Sequence, residues 1–416
     1  MTDSASPGKR YHDLDALRAV AMLLGIVLHG MITFIDFPVG LWPAQDVKQS
    51  EAYLFLLHAI HGFRLPLFFL ISGFFTAMLW RKRGTKALLK HRAKRILLPL
   101  VVFLPLIWIA FIFVVMPVAE WKTGQPADEA AIMENLNLDF SSLPDGIQLV
   151  IFGAIIPVTH HLWFLYYLVW LIAGFALVAM LAKKFNWKPL PAKMVVSPWR
   201  WLWLVPLTMI PQLMMGVLGL YVGIPGFGPD TASGLIPWPP KLLFYAIIFG
   251  YGSLCFGHAE FEQVGRRWKL CFALSIPILL LGLHWLDLRN EAYEKSLQLG
   301  EPTVMQYHFL TSLCQAAYVW LMSFGFIGLF RRFFSKENKG IRYLSDSAYW
   351  LYLAHLPLIM IIQIWVSDWT WPSFAKLIFL CVLTVIPLLL IYEYMVRYVW
   401  VGTMLNGKRK REKVAD

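Results

Sequence analysis

Long apolar stretches separated by short polar segments dominate the chain. A membrane-spanning helix needs about 20 mostly apolar residues, because the hydrocarbon core of a bilayer is about 30 Å thick. Ten stretches meet this requirement, at 14–36, 53–80, 93–117, 160–182, 199–222, 240–258, 268–287, 305–330, 343–367 and 374–402. The pattern predicts an all-α fold, a polytopic membrane helix bundle with about ten transmembrane helices.

The spacing of these stretches also predicts the domain organisation. We expect a single transmembrane domain at 14–402, between an N-terminal tail at 1–13 and a basic tail at 403–416. The longest connection covers about 118–158, and its amphipathic part at 147–156 predicts an interfacial helix or a lid. The first stretch is not expected to be a cleaved signal peptide, since it lacks a small-residue cleavage pattern and nine more spans follow.

Composition and charge support a membrane protein and give it an orientation. Hydrophobic residues make up 58% of the 416 residues and charged residues 15%, which is low for a soluble domain. Most of the Lys and Arg residues lie in the tails and in alternate connections, whereas the opposite connections are acidic. The positive-inside rule therefore places both termini in the cytoplasm. It also explains the net charge of +12 without nucleic-acid binding.

The cysteines give no sign of a metal site. The chain has four, which lie far apart in apolar surroundings and form no CxxC or Cys/His cluster: Cys255, Cys271, Cys314 and Cys381. We therefore expect no structural metal and no disulfide framework.

Ionisable residues at membrane depth are costly, so each is a functional candidate. Arg18 and His29 are eleven residues apart in the first predicted helix, which places them on one face about 16 Å apart along the axis. A cation below a titratable imidazole suits an anionic substrate that delivers a reactive group to a buried base. Alternatively, Arg18 extends to the interface and His29 bonds a neighbouring helix.

The second predicted span contains Arg64, which must face a partner or a water-filled cavity. It also contains Ser72 and Gly73, which suit either close helix packing or a surface that contacts a ligand. Arg92 and Arg95, three residues apart, share a helix face at the start of the third span. Such a pair can bind phosphates in a forked geometry, although a basic flank at this side is also expected from the positive-inside rule.

Three further regions contain candidates. His161 and Trp163 begin the fourth span, where an aromatic belt and a sugar-binding platform are the competing interpretations. His355 lies in the middle of the ninth span. Glu393 and Arg397 in the tenth span are four residues apart, so a mutual ion pair is the simplest explanation for them.

These residues resemble a known family, the integral-membrane acyltransferase-3 proteins, and within it the branch of glucans biosynthesis protein C, membrane succinyltransferases of periplasmic glucans. The resemblance extends from residue 14 to about 400. Its motifs, in family order, are Arg18-x10-His29, IHGFR followed by FFLISGFF, Arg92-x-x-Arg95 before ILLP, HLWFL at 161–165, SAYWLYLAHLPL, and the YE pair at 392–393.

The resemblance implies an enzyme of the bacterial inner membrane, an acyltransferase for groups other than aminoacyl groups. It would take succinyl or acetyl from cytoplasmic acyl-CoA and transfer it to a hydroxyl of a cell-envelope glucan. By this resemblance, His29 would be the catalytic histidine and Arg18 its donor-side partner. Arg92 and Arg95, with Ser72 and Gly73 nearby, would bind the CoA donor.

The remaining roles are less specific. Glu393 would match the polar residue of the last helix. Arg64 or His355 would stabilise the oxyanion or position the acceptor, and Arg64 would pair with the carboxylate of a succinyl group. His161 and Trp163 would lie on the acceptor side, although HLWFLYY there departs from the Trp-Ser-Leu-x-x-Glu-Glu pattern of the wider family. No metal cofactor is implied, and the resemblance does not fix the oligomeric state.

Two interpretations from different classes are open at this point. In the first, the protein is an O-acyltransferase in which His29 acts directly on the hydroxyl or carries the acyl group. In the second, it is a secondary transporter or channel whose buried His, Arg and Glu residues form a proton or solute path. The pair Arg92 and Arg95 favours the enzyme, because a transporter needs no phosphate-binding site for CoA.

Overall fold

A computed structural model describes residues 11–36, 42–124, 144, 146, 153, 157–215, 226–231, 234–296 and 302–409. All regular secondary structure among the described residues is helical and none of it is strand, which confirms the all-α prediction for them. Most of the predicted N-terminal tail, half of the predicted basic tail, the amphipathic segment at 147–156 apart from residue 153, and the end of the predicted span 199–222 lie outside the described residues.

Thirteen α-helices are described, here numbered in chain order. They are α1 (His12–Met31), α2 (Glu51–Arg92), α3 (Leu98–Ala110), α4 (Met116–Thr123), α5 (Trp163–Lys184), α6 (Ala192–Val195), α7 (Trp201–Leu213), α8 (Pro239–Cys255), α9 (Trp268–Ser296), α10 (Pro302–Phe333), α11 (Lys339–Val366), α12 (Ser373–Ile391) and α13 (Trp400–Asn406). Three π-helical turns continue the preceding helix, at Ala93–Leu97, Phe111–Val115 and Tyr392–Val396.

Seven stretches of the described chain are long and apolar enough to cross a membrane, so this is a multi-pass membrane protein. They are His12–Phe34, Glu51–Thr123, His160–Lys184, Trp268–Lys295, Pro302–Phe333, Lys339–Val366 and Ser373–Val396. Glu51–Thr123 has 73 residues and contains two of the predicted spans. Helix α8 has 17 residues and α7 has 13, so neither is among the seven. The count of ten and the location of the termini stay predictions.

Helix α2 is longer than the apolar pattern indicates. It continues through the basic segment 81–92, because Lys, Arg, Ala and Leu are good helix formers. Gly84 interrupts it, with φ of 76° and ψ of 176°. A residue with a side chain rarely adopts this backbone conformation, so glycine permits the change of direction between the apolar and basic parts.

The chain divides into two compact units. Unit 1 consists of Met1–Ala21, His58–Lys90 and Phe140–Asn338, and unit 2 consists of Met22–Leu57, His91–Asp139 and Lys339–Asp416. Helices α1 and α2 each contribute to both. This division does not test the prediction of one transmembrane domain.

Within unit 1, α2 and α8 approach each other through glycine. A methyl group placed on Gly252 would overlap the carbonyl oxygen of Leu70, and one on Gly73 would overlap the carbonyl oxygen of Phe249. Small residues at such contacts allow two backbones to touch, which strengthens van der Waals packing in a membrane.

Within unit 2, an apolar core joins α1, α11 and α12. Buried side chains from these helices and from the π-helical turn before α4 pack together, among them Ile26, Val115, Leu351, Ile359 and Leu388. This core fixes α1 against α11 and thereby determines which side chains of the two helices can meet.

We predict that Gly252→Ala destabilises the protein, because the new methyl group meets backbone that cannot move aside. The expected cost is about 1–3 kcal/mol. The measurement is the thermal unfolding temperature of the purified protein in detergent. Gly250→Ala, two residues away on the same helix with nothing within 4 Å of its added methyl, is the control. It should leave the unfolding temperature unchanged or raise it, and equal values for the two variants would contradict this account.

Candidate active site

Two histidines from distant parts of the chain meet inside unit 2. Nδ1 of His29, near the end of α1, lies 2.8 Å from Nε2 of His355 in α11. The two rings are nearly parallel, with an interplanar angle of 17° and centroids 5.1 Å apart. His355 is buried and His29 is half-buried, so His29 is the more accessible of the two.

The hydrogen bonds of His355 determine where the protons lie. Its Nδ1 is 2.8 Å from the carbonyl oxygen of Tyr352 and 3.1 Å from that of Leu351. A carbonyl oxygen only accepts, so Nδ1 of His355 carries a hydrogen. Nε2 of neutral His355 is then an acceptor, and Nδ1 of His29 donates to it. In neutral His29 the lone pair consequently lies on Nε2, the nitrogen on the other side of the ring.

Gln363 and Trp42 support His29 from two directions. The Gln363 amide nitrogen donates to the carbonyl oxygens of His29, at 2.8 Å, and Gly30, at 3.2 Å. These carbonyls belong to the last turn of α1, where the helix itself supplies no N–H group to bond them. The Trp42 indole nitrogen donates to the Gln363 side-chain oxygen at 3.0 Å, and its ring lies almost parallel to the His29 ring, 6.2 Å away.

A buried ion pair anchors the segment that contains Trp42. The side chains of Lys376 and Asp46 have no exposed surface, and Lys376 Nζ donates to Asp46 Oδ2 at 2.6 Å and to the Trp369 carbonyl oxygen at 2.8 Å. The Asp46 amide donates to the carbonyl oxygen of Thr33, just after α1. The pair therefore fixes the segment after Trp42 against the end of the helix that bears His29.

The two arginines of the third predicted span also belong to unit 2. Arg92 ends α2, and Arg95 lies in the π-helical turn that follows. The Tyr349 hydroxyl donates to the carbonyl oxygen of Arg95 at 2.9 Å, and the Tyr349 side chain interacts electrostatically with both guanidinium groups. Arg409 also interacts with Arg95 and forms an ion pair with Asp346 at 2.6 Å.

Glu393 forms an ion pair in the last π-helical turn. Its Oε2 accepts from Arg397 at 2.7 Å and its Oε1 from the Tyr398 hydroxyl at 3.1 Å. The mutual pair expected from the i, i+4 spacing is therefore present. A catalytic role for Glu393 stays a prediction.

Unit 1 holds the other predicted site residues. Arg18, in α1, lies 3.5 Å from Asp15 and above the ring of Phe75. Arg64 is buried and interacts electrostatically with His61 and Tyr245. Arg64 therefore lies inside the protein, close to an aromatic ring and an imidazole.

The remaining unit 1 candidates are packed residues. Ser72 is buried, and Gly73 contacts the backbone of α8 as described above. His161 is buried, and Trp163 packs its ring against Tyr167 and Tyr245 with centroid separations of 5.7 and 5.6 Å. Their predicted roles in binding CoA or the acceptor stay predictions.

The structure thus brings together His29 with His355, and Arg92 with Arg95, within one unit. Sequence reasoning missed Gln363, Lys376 and Arg409. The first two are polar residues in apolar helices, so the rule that singled out His355 applies to them equally. Arg409 lies in the basic tail, where a solvated flank is the simplest expectation.

Comparisons with known proteins agree with these motifs. A family model described as an acyltransferase domain matches residues 11–393. Glucans biosynthesis protein C of Salmonella paratyphi B is 25% identical over 424 residues, which cover 97% of this chain and 97% of the relative. The proteins of the same name from Salmonella gallinarum and Salmonella paratyphi A are each 24% identical, also over 97% of both chains. No solved structure matches the chain.

We predict that Lys376→Met strongly destabilises unit 2, because it leaves the Asp46 carboxylate buried without its cation. Removing one partner of a buried pair costs about 3–5 kcal/mol. The measurement is the fraction of protein that stays monodisperse after heating in detergent.

Two further variants test the cause of that loss. Asp46→Asn combined with Lys376→Met should recover much of the stability, because no charge is then left buried. Lys295→Met removes an exposed i, i+4 pair with Glu291 and should have little effect. If the double variant were no more stable than Lys376→Met, packing of the lysine rather than its charge would explain the loss.

Proposed function

Because the chain belongs to the acyltransferase-3 family and is therefore an acyltransferase, we propose that it transfers an acyl group, succinyl or acetyl, from acyl-CoA to a hydroxyl group of a cell-envelope glucan. We place it in the bacterial inner membrane with acyl-CoA on the cytoplasmic side. The single observation that carries the proposal is the hydrogen bond from His29 to His355. The names of the relatives, glucans biosynthesis protein C, support a glucan as the acceptor.

The histidine pair supplies the base that acyl transfer needs. Nε2 of His29 takes the proton of the glucan hydroxyl while the oxygen attacks the thioester carbonyl carbon. The tetrahedral intermediate collapses, the bond to sulfur breaks, and the proton on His29 passes to the leaving thiolate, so that free CoA and the ester form. In a second route, Nε2 of His29 attacks the thioester carbonyl carbon and CoA leaves as the thiolate. The hydroxyl oxygen then attacks the acyl-imidazole, the bond to Nε2 breaks, and the hydroxyl proton passes to the thiolate.

His355 acts through His29 in either route. It accepts the Nδ1–H of His29, which fixes the tautomer and the ring orientation. When His29 becomes a cation during the reaction, the same hydrogen bond is to a charged donor and becomes stronger. His355 is therefore a positioning residue in this proposal.

Arg92, Arg95 and Arg409 bind the phosphates of CoA in this proposal. Arg409 and Arg95 repel each other, and Tyr349 interacts electrostatically with both Arg92 and Arg95, so the three guanidinium groups belong to one cluster. A polyanion relieves that repulsion, and guanidinium groups suit phosphate through forked hydrogen bonds.

The other predicted site residues keep the roles expected from the sequence. Arg18 is the donor-side partner of His29, and Glu393 takes the place of the polar residue in the family's last helix. Arg64 pairs with the carboxylate of a succinyl donor, Ser72 and Gly73 border the donor, and His161 and Trp163 contact the acceptor.

The catalytic pair is tested by release of CoA from succinyl-CoA or acetyl-CoA with purified protein in lipid nanodiscs. His29→Ala should lower the rate about 10²–10⁴-fold, the usual contribution of a general base. His355→Gln should retain more activity than His355→Ala, since its amide oxygen reaches the position of Nε2 and can accept from His29. The control His284→Ala changes an exposed histidine and should leave the rate unchanged.

Two outcomes would contradict the assignment. Equal rates for His355→Gln and His355→Ala, with both proteins stable, would contradict the role of His355 as the acceptor that positions His29. A wild-type protein that neither binds nor hydrolyses an acyl-CoA would favour the transporter, and flux across sealed vesicles would be measured next.

The phosphate site is tested by Arg95→Gln and Arg92→Gln. Each should raise the KM for acyl-CoA about 10- to 150-fold, because a charge-assisted contact is worth about 1.5–3 kcal/mol. The KM for acyl-pantetheine, which lacks the nucleotide phosphates, should not change. Lys94→Gln alters an exposed cation in the same π-helical turn and is the matched control. Equal increases for both substrates would show that the arginines act on folding or on the thioester instead.

A further inference from the structure

A cleft in unit 2 is not used by the proposed chemistry. Its volume is about 490 Å³, and residues of α4, α11 and the turn after α11 line it, chiefly Trp121, Lys122, Trp365, Asp368 and Trp369. Pockets for small ligands have about 300–1,000 Å³, so the volume suits one or two sugar rings. The charge distribution predicts that these ends of α4 and α11 face away from the cytoplasm.

The cleft presents aromatic rings to its surroundings. Trp121 is 82% exposed and Trp365 is 54% exposed. The Trp369 ring also lines the cleft, with its centroid 5.3 Å from that of Trp365 and 5.1 Å from that of Trp371. Tryptophan combines an apolar face with a polar N–H group, which suits a ligand that is apolar on one face and polar at its rim.

An ion pair completes the cleft. Lys122 Nζ donates to Asp368 Oδ2 at 2.6 Å, which connects α4 to the turn after α11. The hydrogen bond from Lys122 holds the pKa of the Asp368 carboxyl below its usual range, so the carboxyl is ionised at neutral pH. An ammonium and a carboxylate beside tryptophan faces offer a donor and an acceptor to vicinal hydroxyl groups. An aromatic belt at a membrane surface needs neither of them.

The cleft and the histidine pair share one helix. Trp365 follows His355 by ten residues in α11, which corresponds to a rise of about 15 Å. That distance exceeds one sugar unit, so a single sugar at His29 would not reach the cleft, whereas a chain of several units would.

We propose that this cleft binds a glucose unit of the acceptor glucan, several units away from the hydroxyl that is acylated. The inference rests on the proposed function for its choice of ligand. The indole faces of Trp365 and Trp121 pack on the C–H face of the ring, and Lys122 and Asp368 bond its hydroxyl groups. Acceptor length is therefore a determinant of specificity.

The first test is direct binding of glucan oligosaccharides to the protein in nanodiscs without acyl-CoA, by calorimetry. Trp365→Ala should raise the Kd of a long oligosaccharide about tenfold. Asp368→Asn should also weaken binding of the long oligosaccharide. Trp187→Ala, which removes an exposed tryptophan elsewhere, is the control and should bind as wild type does.

The second test separates this inference from the proposed function. In the CoA-release assay, Trp365→Ala should raise the KM for long acceptors and leave hydrolysis of acyl-CoA without acceptor at the wild-type rate. Oligosaccharide binding that depends on Trp365 supports the cleft even if the protein releases no CoA. Acylation of glucan with an unchanged Kd and KM in Trp365→Ala overturns the cleft alone. A lower unfolding temperature in Trp365→Ala with unchanged binding would assign these tryptophans to the membrane surface and would also overturn it.

Discussion

Polar side chains inside a membrane protein need partners within the protein, and the architecture of unit 2 depends on how this requirement is met. Lys376 and Asp46 have no exposed surface, so each is tolerated only because the other is in contact with it. That pair holds the segment after Trp42, Trp42 bonds Gln363, and Gln363 bonds the last turn of α1. The position of His29 thus depends on a series of hydrogen-bonded polar groups that begins at the pair of Lys376 and Asp46.

The same requirement gives His29 its chemical character. His355 lies in an apolar core, where its two ring nitrogens have the Tyr352 carbonyl on one side and His29 on the other. The backbone carbonyl determines the tautomer of His355, and His355 in turn determines that of His29. In the proposed mechanism, His355 takes the place that a carboxylate often has in soluble enzymes: it is an acceptor that orients the imidazole of His29 without adding a buried charge.

Much of the fold could be predicted from the sequence, because apolar stretches of sufficient length reveal helices such as α10 and α11 to within a few residues. The candidate site was predictable only in part. Arg18, His29 and His355 stand out as polar residues in apolar surroundings, but nothing in their spacing shows that His29 meets a residue 326 positions away. Periodicity gives the faces of one helix, whereas this contact depends on how α1 packs on α11. Arg409 was missed because a basic tail next to a membrane has an ordinary explanation.

The π-helical turns carry a consequence for how this chain can vary. Such a turn holds one residue more than the α-helical geometry requires, and Arg95 and Glu393 each lie in one. Deletion of a single residue there would restore a regular helix and leave the side chains beyond it close to their present directions, because the wider turn takes up the rotation of about 100° that one extra residue would otherwise cause. Related proteins that are one residue shorter at either of these two places should therefore be aligned with a gap inside the helix.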